Sequence, residues 1–389
     1  MSQIVIHNCC LLAGYARMEN CAILIEDGLI ADVFSERRFE QKRFDSGATV
    51  IDSGGAYLAP GLIDSHIHGF AGFGTEDLSS EAIISMSEHL GSYGVTAFVP
   101  TIYPMAEGDM IAAIEACVGA MGRESGATIM GVHLEGPFIS PARLGVQRPE
   151  FVRPVDIELM ERLFAAGRGH ITNMTVAPEI KGMRELALYC IKRGIVLQAG
   201  HTDATYENML EGMQAGILHS THFFNAMSRL HQRNPGAVGA ILIHPELSCE
   251  IIADGHHVHP DLIKLLMRDK PVSKVVLVTD SLKPTEQMNC PFFANREEVV
   301  LHDGVFHRVS DDVIAGSALT MIQGLKNLVD FGVPIENATE MAAANPSRIL
   351  GLGKRGLLVP GYKADIIVFD KQFTVLACLI GGRFVKNLF

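Results

Sequence analysis

The sequence has no surplus of positive charge: 32 lysines and arginines stand against 44 aspartates and glutamates, for a formal charge of −12. That balance argues against nucleic acid or an anionic membrane as the main partner, because either would repel the chain on approach. An anionic small molecule is still admissible, since a local basic pocket can override the global field. No CxxC spacing occurs among the eight cysteines Cys9, Cys10, Cys21, Cys117, Cys190, Cys249, Cys290 and Cys378, most of which lie in apolar runs such as Leu247–Ile252. Buried, reduced thiols in a cytoplasmic protein are therefore expected rather than a disulfide framework. No uninterrupted apolar run reaches about 18 residues, so no membrane span is expected. Met1–Gly14 lacks the basic start and long apolar stretch of a signal peptide.

What is present is a chain of 389 residues, 48% of them hydrophobic, enough for a sizeable core. That length suits a barrel with an appendage. The two ends read as β-structure. Ile4–His7, Cys21–Glu26 and Leu29–Phe34 come first, with a turn at Asp27-Gly28; Ala364–Phe369, Thr374–Ile380 and Arg383–Lys386 come last, with a hairpin at Gly381-Gly382. Residues 1–57 and 355–389 are expected to pair into one small β-sandwich domain flanking a catalytic unit over 58–354.

Within 58–354 the pattern becomes apolar strands alternating with amphipathic helices. Eight strand-like runs each end in polar residues: Gly61–His68, Val95–Thr101, Thr128–Glu135, Ile171–Glu179, Ile195–His201, Leu218–His222, Leu247–Asp254 and Lys274–Asp280. Glu81–Gly91, Asp109–Met121, Met183–Arg193 and Asn208–Ala215 are among the helices between them. The alternation predicts an α/β fold with a closed parallel (β/α)₈ barrel of the TIM type. An open doubly wound sheet would need a Gly-rich phosphate loop after its first strand; Gly61–Gly69 carries a His-x-His instead.

In such a barrel the C-terminal strand ends share one mouth. His66 and His68 end the first run, and a spacing of two puts both imidazoles on one face of an extended strand. Glu135 ends the third run, His201 the fifth, His222 the sixth and Asp280 the eighth. Matching candidate ligands at five of the eight strand ends, where burial unpaired would cost several kcal/mol, indicate a metal site. Imidazoles and carboxylates without thiolates suit Zn²⁺, Fe²⁺, Mn²⁺ or Co²⁺. Six ligands exceed the need of one four-coordinate ion, so one or two ions fit, with Glu135 bridging in the second case. His133 is expected to turn away from Glu135, toward the far side of its strand or a supporting position. His219 is expected to serve packing or support, and His244 and His259 carry no spacing argument. A metal lowers the pKa of water toward neutrality, and Asp280 can take a proton and return it to a leaving amine. The expected chemistry is hydrolysis of an amide or related carbon–nitrogen bond.

These stretches resemble the amidohydrolase superfamily and, more closely, the N-acetylglucosamine-6-phosphate deacetylase family. The resemblance runs through Pro60–Gly69, Gly94–Thr101, His133–Phe138, Ala177–Glu179, Ala199–Thr202, Thr221–Met227, Leu277–Asp280, Ala315–Thr320 and Asn345–Ser347, nearly the whole chain. It implies that Glu135, His201 and His222 hold the main ion, zinc foremost, that His66 and His68 permit a second, and that Asp280 is the general acid/base. It implies an amino-sugar phosphate as substrate, its phosphate met by Asn225, the backbone near Ala226, Arg233 and His257. The arginine is expected to reach in from a neighbouring subunit, making a homodimer. One position departs from the pattern. Where the family usually carries Gly-x-His-x-Pro, this chain reads Gly145-Val146-Gln147-Arg148-Pro149. Gln147 or Arg148 is expected to take over the histidine's hydrogen bond to the acetyl carbonyl, because an amide can still donate.

Other readings of the same barrel are a cyclic-amide hydrolase, which would use a carboxylated lysine where Glu135 stands, and a non-catalytic scaffold. Among deacetylases the sugar epimer, N-acetylglucosamine or N-acetylgalactosamine 6-phosphate, is left open.

Overall fold

The computed structural model describes residues 3–288 and 291–389. Cys290 lies outside the described residues; the other seven cysteines are free and buried.

Eight parallel strands form the expected barrel. They are Leu62–Ile67, Val95–Ile102, Val132–Glu135 (preceded by the short Thr128–Ile129), Ile171–Val176, Val196–Ala199, His219–Ser220, Cys249–Ile252 and Val275–Val278. Neighbours pair in register along the series, for example Leu134 with Met174 and Glu250 with Val276. Two seams are joined by a few isolated backbone bonds. Phe223 N–H donates to Glu250 O at 2.9 Å between the sixth and seventh strands, and Asp280 N–H donates to His66 O at 2.9 Å between the eighth and first. Strands buried on both faces read as apolar runs rather than alternations, and this is why Val275–Val278 is apolar throughout.

A helix follows each strand, and its limits are visible in sequence chemistry. Asp156 accepts from Leu159 N–H at 3.0 Å to open Ile157–Gly167, whose Leu159, Met160 and Leu163 face the core. Thr205 and Asn208 cap Tyr206–Gln214 reciprocally, at 3.2 and 3.1 Å. Replacing Thr205 with alanine removes one of these bonds, an effect of about 1 kcal/mol.

The chain ends share one sheet. Its order runs Arg383–Asn387, Val375–Ile380, Ile366–Phe369, Tyr57–Pro60, Gln3–Leu12, Arg17–Glu26, Leu29–Ser35, with Thr49–Asp52 also paired to Gln3–Leu12. Irregularities on either side of Cys9 let one half of Gln3–Leu12 pair with Thr49–Asp52 and the other with Tyr57–Pro60. The two halves enclose an apolar layer in which Ile6, Ile23 and Ile25 meet Leu58, Ile366 and Leu379.

The sequence reading missed one element. Between the eighth strand and the helix Met321–Asp330 an antiparallel sheet is inserted: Phe292–Ala294, Glu297–His302, Val305–Arg308 and Ile314–Ser317. Its last turn brings Val313 and Ile314 over the barrel mouth. Among the described residues no helix is long and apolar enough to cross a membrane.

Candidate metal centre

The C-terminal strand ends converge on two groups of three side chains: His66, His68 and Asp280, and Glu135, His201 and His222. All six are buried. Three of them, His201, His222 and Asp280, hold positive φ angles of 46°, 24° and 52°. Such conformations are uncommon without glycine and cluster where a chain must aim a side chain.

Glu135 joins the groups. Its Oε1 lies 3.2 Å from His201 Nε2, 3.1 Å from His222 Nε2 and 3.4 Å from His66 Nε2. Its Oε2 lies 3.3 Å from His68 Nε2. His201 Nε2 and His222 Nε2 face each other at 3.1 Å. Asp280 Oδ1 completes the other group, 3.5 Å from His66 Nε2 and 3.4 Å from His68 Nε2.

These residues fit a divalent ion. A tetrahedral centre with donors at about 2.0–2.2 Å sets those donors roughly 3.3–3.6 Å apart, and the separations above lie at or just inside that span. His66 Nε2 is buried with no hydrogen-bond partner of its own, which would cost folding energy unless something else met its lone pair. The tautomers agree. His201 Nδ1 donates to Arg143 O at 2.9 Å and His66 Nδ1 to Glu250 Oε2 at 2.9 Å, leaving both Nε2 lone pairs to the centre.

Charge follows the same arrangement. Burial alone would raise the Glu135 carboxyl, but His201, His222 and His66 hold it well below the usual carboxylate range. Asp280 is likewise pushed up by burial and, on balance, held down by His66 and His68. Both enter the site as carboxylates.

Of the two places expected for His133 it takes the supporting one, on the same face as Glu135 rather than turned away from it. Residues two apart on a strand share a face, so His133 points into the barrel with Glu135 and meets the His66 ring edge-on at 4.7 Å. Thr101 and Thr175 hold its two nitrogens at 3.1 and 2.8 Å. Burial and then His66 push it down to about 3, so it is neutral support beneath the centre. His219 bonds Ser248 Oγ at 2.8 Å. His244 bonds Tyr206 at 2.8 Å, and His259 caps the helix Pro260–Asp269; neither lines the site.

Gln147 is buried at the mouth with its Nε2 on Glu135 Oε2. Arg148 turns outward, paired with Glu150 and stacked on Phe151 at 4.8 Å, and does not line the adjacent cavity. The adjacent cavity has a volume of about 310 Å³. Asn225, Ala226 and His257 line it with Gln147 and the ligands, and Val313 and Ile314 overhang it. Arg233 sits on an exposed loop and does not line this cavity.

Four neighbours escaped the sequence reading. Tyr103 stacks on His68 at 3.7 Å, His256 lines the cavity, and Asp254 holds His257. Glu250 lies beneath His66; a lone carboxylate inside the apolar run Leu247–Ile252 was the available signal.

The chain is similar to known proteins over most of its length. The chain is 33% identical over 374 residues to an N-acetylglucosamine-6-phosphate deacetylase of Bacillus subtilis (strain 168), covering 94% of this chain and 93% of that protein. It is 31% identical over 329 residues to an N-acetylgalactosamine-6-phosphate deacetylase of Escherichia coli O157:H7, covering 84% and 87%. A solved N-acetyl-D-glucosamine-6-phosphate deacetylase from Mycobacterium smegmatis, in complex with N-acetyl-D-glucosamine-6-phosphate, superposes with a TM-score of 0.92 at 26% identity over the full length of both chains. The sequence model of the Amidohydrolase family matches residues 57–385, and the chain belongs to that family.

Proposed function

We propose that this chain hydrolyses the acetamido bond of N-acetylglucosamine 6-phosphate, giving glucosamine 6-phosphate and acetate. One observation carries the reading: a single cavity has the two ligand groups at its reacting end and His257 and Asn225 among its other walls. Glu135, His201 and His222 would hold a divalent transition metal, zinc foremost, and His66, His68 and Asp280 a second. When bound, such an ion supplies Lewis acidity at neutral pH.

The protein's own residues do the rest. Asp280, ionised and facing the cavity, accepts the proton of the attacking water and returns it to the leaving amine. Gln147 Nε2 can turn from Glu135 to donate to the carbonyl oxygen as charge develops there. The phosphate is met by His257, which burial alone would lower but Asp254 raises, and by Asn225 and the backbone at Ala226. Arg233 reaches the same end from a second subunit, so the working unit is a homodimer. Seven buried free thiols support a cytoplasmic location.

The relative named for N-acetylgalactosamine 6-phosphate, at 31% identity, supports a second reading with the epimeric sugar. A panel of N-acetylhexosamines, with and without 6-phosphate, scored by acetate release, decides between them. Turnover should be highest with N-acetylglucosamine 6-phosphate. Equal turnover of free and phosphorylated sugars would remove the phosphate role of Arg233 and His257.

A further inference from the structure

The seventh barrel strand, Cys249–Ile252, supplies no member of either ligand group, yet it carries a fully buried carboxylate. Glu250 lies beneath the centre and accepts three hydrogen bonds. Oε2 accepts from His66 Nδ1 at 2.9 Å and from the backbone N–H of His222 at 3.1 Å. Oε1 accepts from Gln198 Nε2 at 2.8 Å, with His219 Nε2 at 3.8 Å. Gln198 is itself fixed, since its own Oε1 accepts from Asn173 Nδ2.

We propose that Glu250 is the positioning residue of the metal centre, tying one ligand of each group to a single buried carboxylate. Through His66 it keeps the proton on Nδ1 and presents Nε2 to the ion. Through the N–H of His222 it holds a residue whose φ of 24° has little conformational support of its own. An unpaired carboxylate here would be strongly destabilising, so the donors and the charge are mutually required. Carboxylate acceptors behind metal-bound imidazoles both orient the ring and strengthen it as a ligand, and losing one typically weakens metal binding about 10–100-fold. The inference rests on the metal reading above and assigns a residue that touches neither substrate nor ion.

Glu250→Gln is the direct test. An amide cannot offer acceptors at both ends, so either His66 and His222 or Gln198 would face an NH₂ group. Purified wild type and E250Q, stripped by chelator, are titrated with Co²⁺ while bound metal and visible absorption are followed, with thermal melts as a fold control. E250Q should bind its weaker ion about 10–100-fold less tightly, with an altered cobalt spectrum and a lowered kcat at little-changed KM. Unaltered affinity, stoichiometry and spectrum in a folded E250Q would overturn the role of Glu250 while leaving the metal reading intact. A wild-type chain that takes up no ion would overturn both. Should E250Q not fold, ¹⁵N-histidine spectra of metal-loaded wild type decide: a solvent-protected Nδ1–H at His66 is expected, and its absence overturns the proposal.

Discussion

Asp254 Oδ2 lies 2.6 Å from His257 Nδ1, while Oδ1 of the same carboxylate accepts from the backbone N–H of His256 and His257 at 2.9 and 2.8 Å. One side chain thus shapes the turn after the seventh barrel strand and points His257 Nε2 at the cavity. Burial would favour the neutral imidazole, but Asp254, with help from Asp280, raises His257 above its ordinary value. The protonated imidazole is thereby favoured at the end of the cavity proposed for phosphate.

Asp254→Asn should therefore raise KM for N-acetylglucosamine 6-phosphate about tenfold and leave kcat nearly unchanged, because uniform binding is lost rather than transition-state binding. The sign of the pH effect is fixed. A raised pKa keeps His257 charged to higher pH, and removing Asp254 lowers it, so the rise of KM with pH should begin at lower pH in the variant. Steady-state KM measured across pH 5–9, roughly the range in which imidazoles titrate, checks this. An unchanged KM profile would remove His257 from phosphate binding.

Gln147 offers the sharpest test at the reacting end. It is buried, its Nε2 is on Glu135, and its Oε1 has no partner. If that amide donates to the carbonyl oxygen as charge builds, Gln147→Ala should lower kcat by about 10²–10³. Gln147→His, which restores a donor, should lose less. Acetate release from N-acetylglucosamine 6-phosphate by the two variants measures it, and wild-type turnover in both would exclude Gln147 from carbonyl activation.

The barrel and the cluster of imidazoles and carboxylates at its mouth were legible because burial makes them conspicuous: such a residue closing an apolar run needs a partner, and five of the runs bring theirs to one mouth. What was not legible depends on contacts across the fold. Glu250 reads as an interruption of Leu247–Ile252 until the closing barrel sets it under His66. The inward aim of His133 was available from the two-residue period of its strand and was read the wrong way. Arg148 carries the same charge as a phosphate or carbonyl partner would, and only the turn at Gly145–Pro149 shows it facing Glu150. The inserted sheet from Phe292 to Ser317 alternates weakly and follows the last barrel strand, where no element was assigned, so periodicity gave no warning.

The join between barrel and terminal sheet makes a stability prediction. Arg355 pairs with Asp365 through Nη1, both side chains nearly inaccessible at 6% and 3%. Asp365 O also accepts from Gly61 N–H at 2.9 Å, and Arg355 O from Ser347 Oγ at 3.0 Å, so the pair sits where the two units meet. Arg355→Met would strand Asp365 in an environment that already pushes its carboxyl up by burial. A loss of about 3–5 kcal/mol is expected, and Arg355→Met with Asp365→Leu should recover much of it, because an apolar pair can replace a buried ion pair. Urea denaturation of the single and double variants gives the comparison; a double variant no more stable than the single one would show that the pair is not what Asp365 requires.

Arg233, like Arg148, does not line the cavity of its own chain. The apolar side chains Leu230 and Ile243, exposed by 58% and 55%, lie on the same loop and the helix that follows it. If Arg233 acts in the neighbouring subunit, two crippled chains can repair each other. Arg233→Ala keeps its own Asp280 but offers its partner no arginine, and should raise KM with a loss of about 1.5–3 kcal/mol in phosphate binding. Asp280→Asn keeps the arginine it lends but should lose about 10²–10⁴ in kcat. In a heterodimer the R233A chain's site regains both groups, while the other site has neither. Each mixed dimer, once purified away from the two parents, has one good site of two, so about half of wild-type activity should appear. Co-expression with two different tags, tandem purification and acetate release at low substrate measure that recovery. Purified heterodimers no more active than the mean of their parents would place Arg233 outside the partner's site.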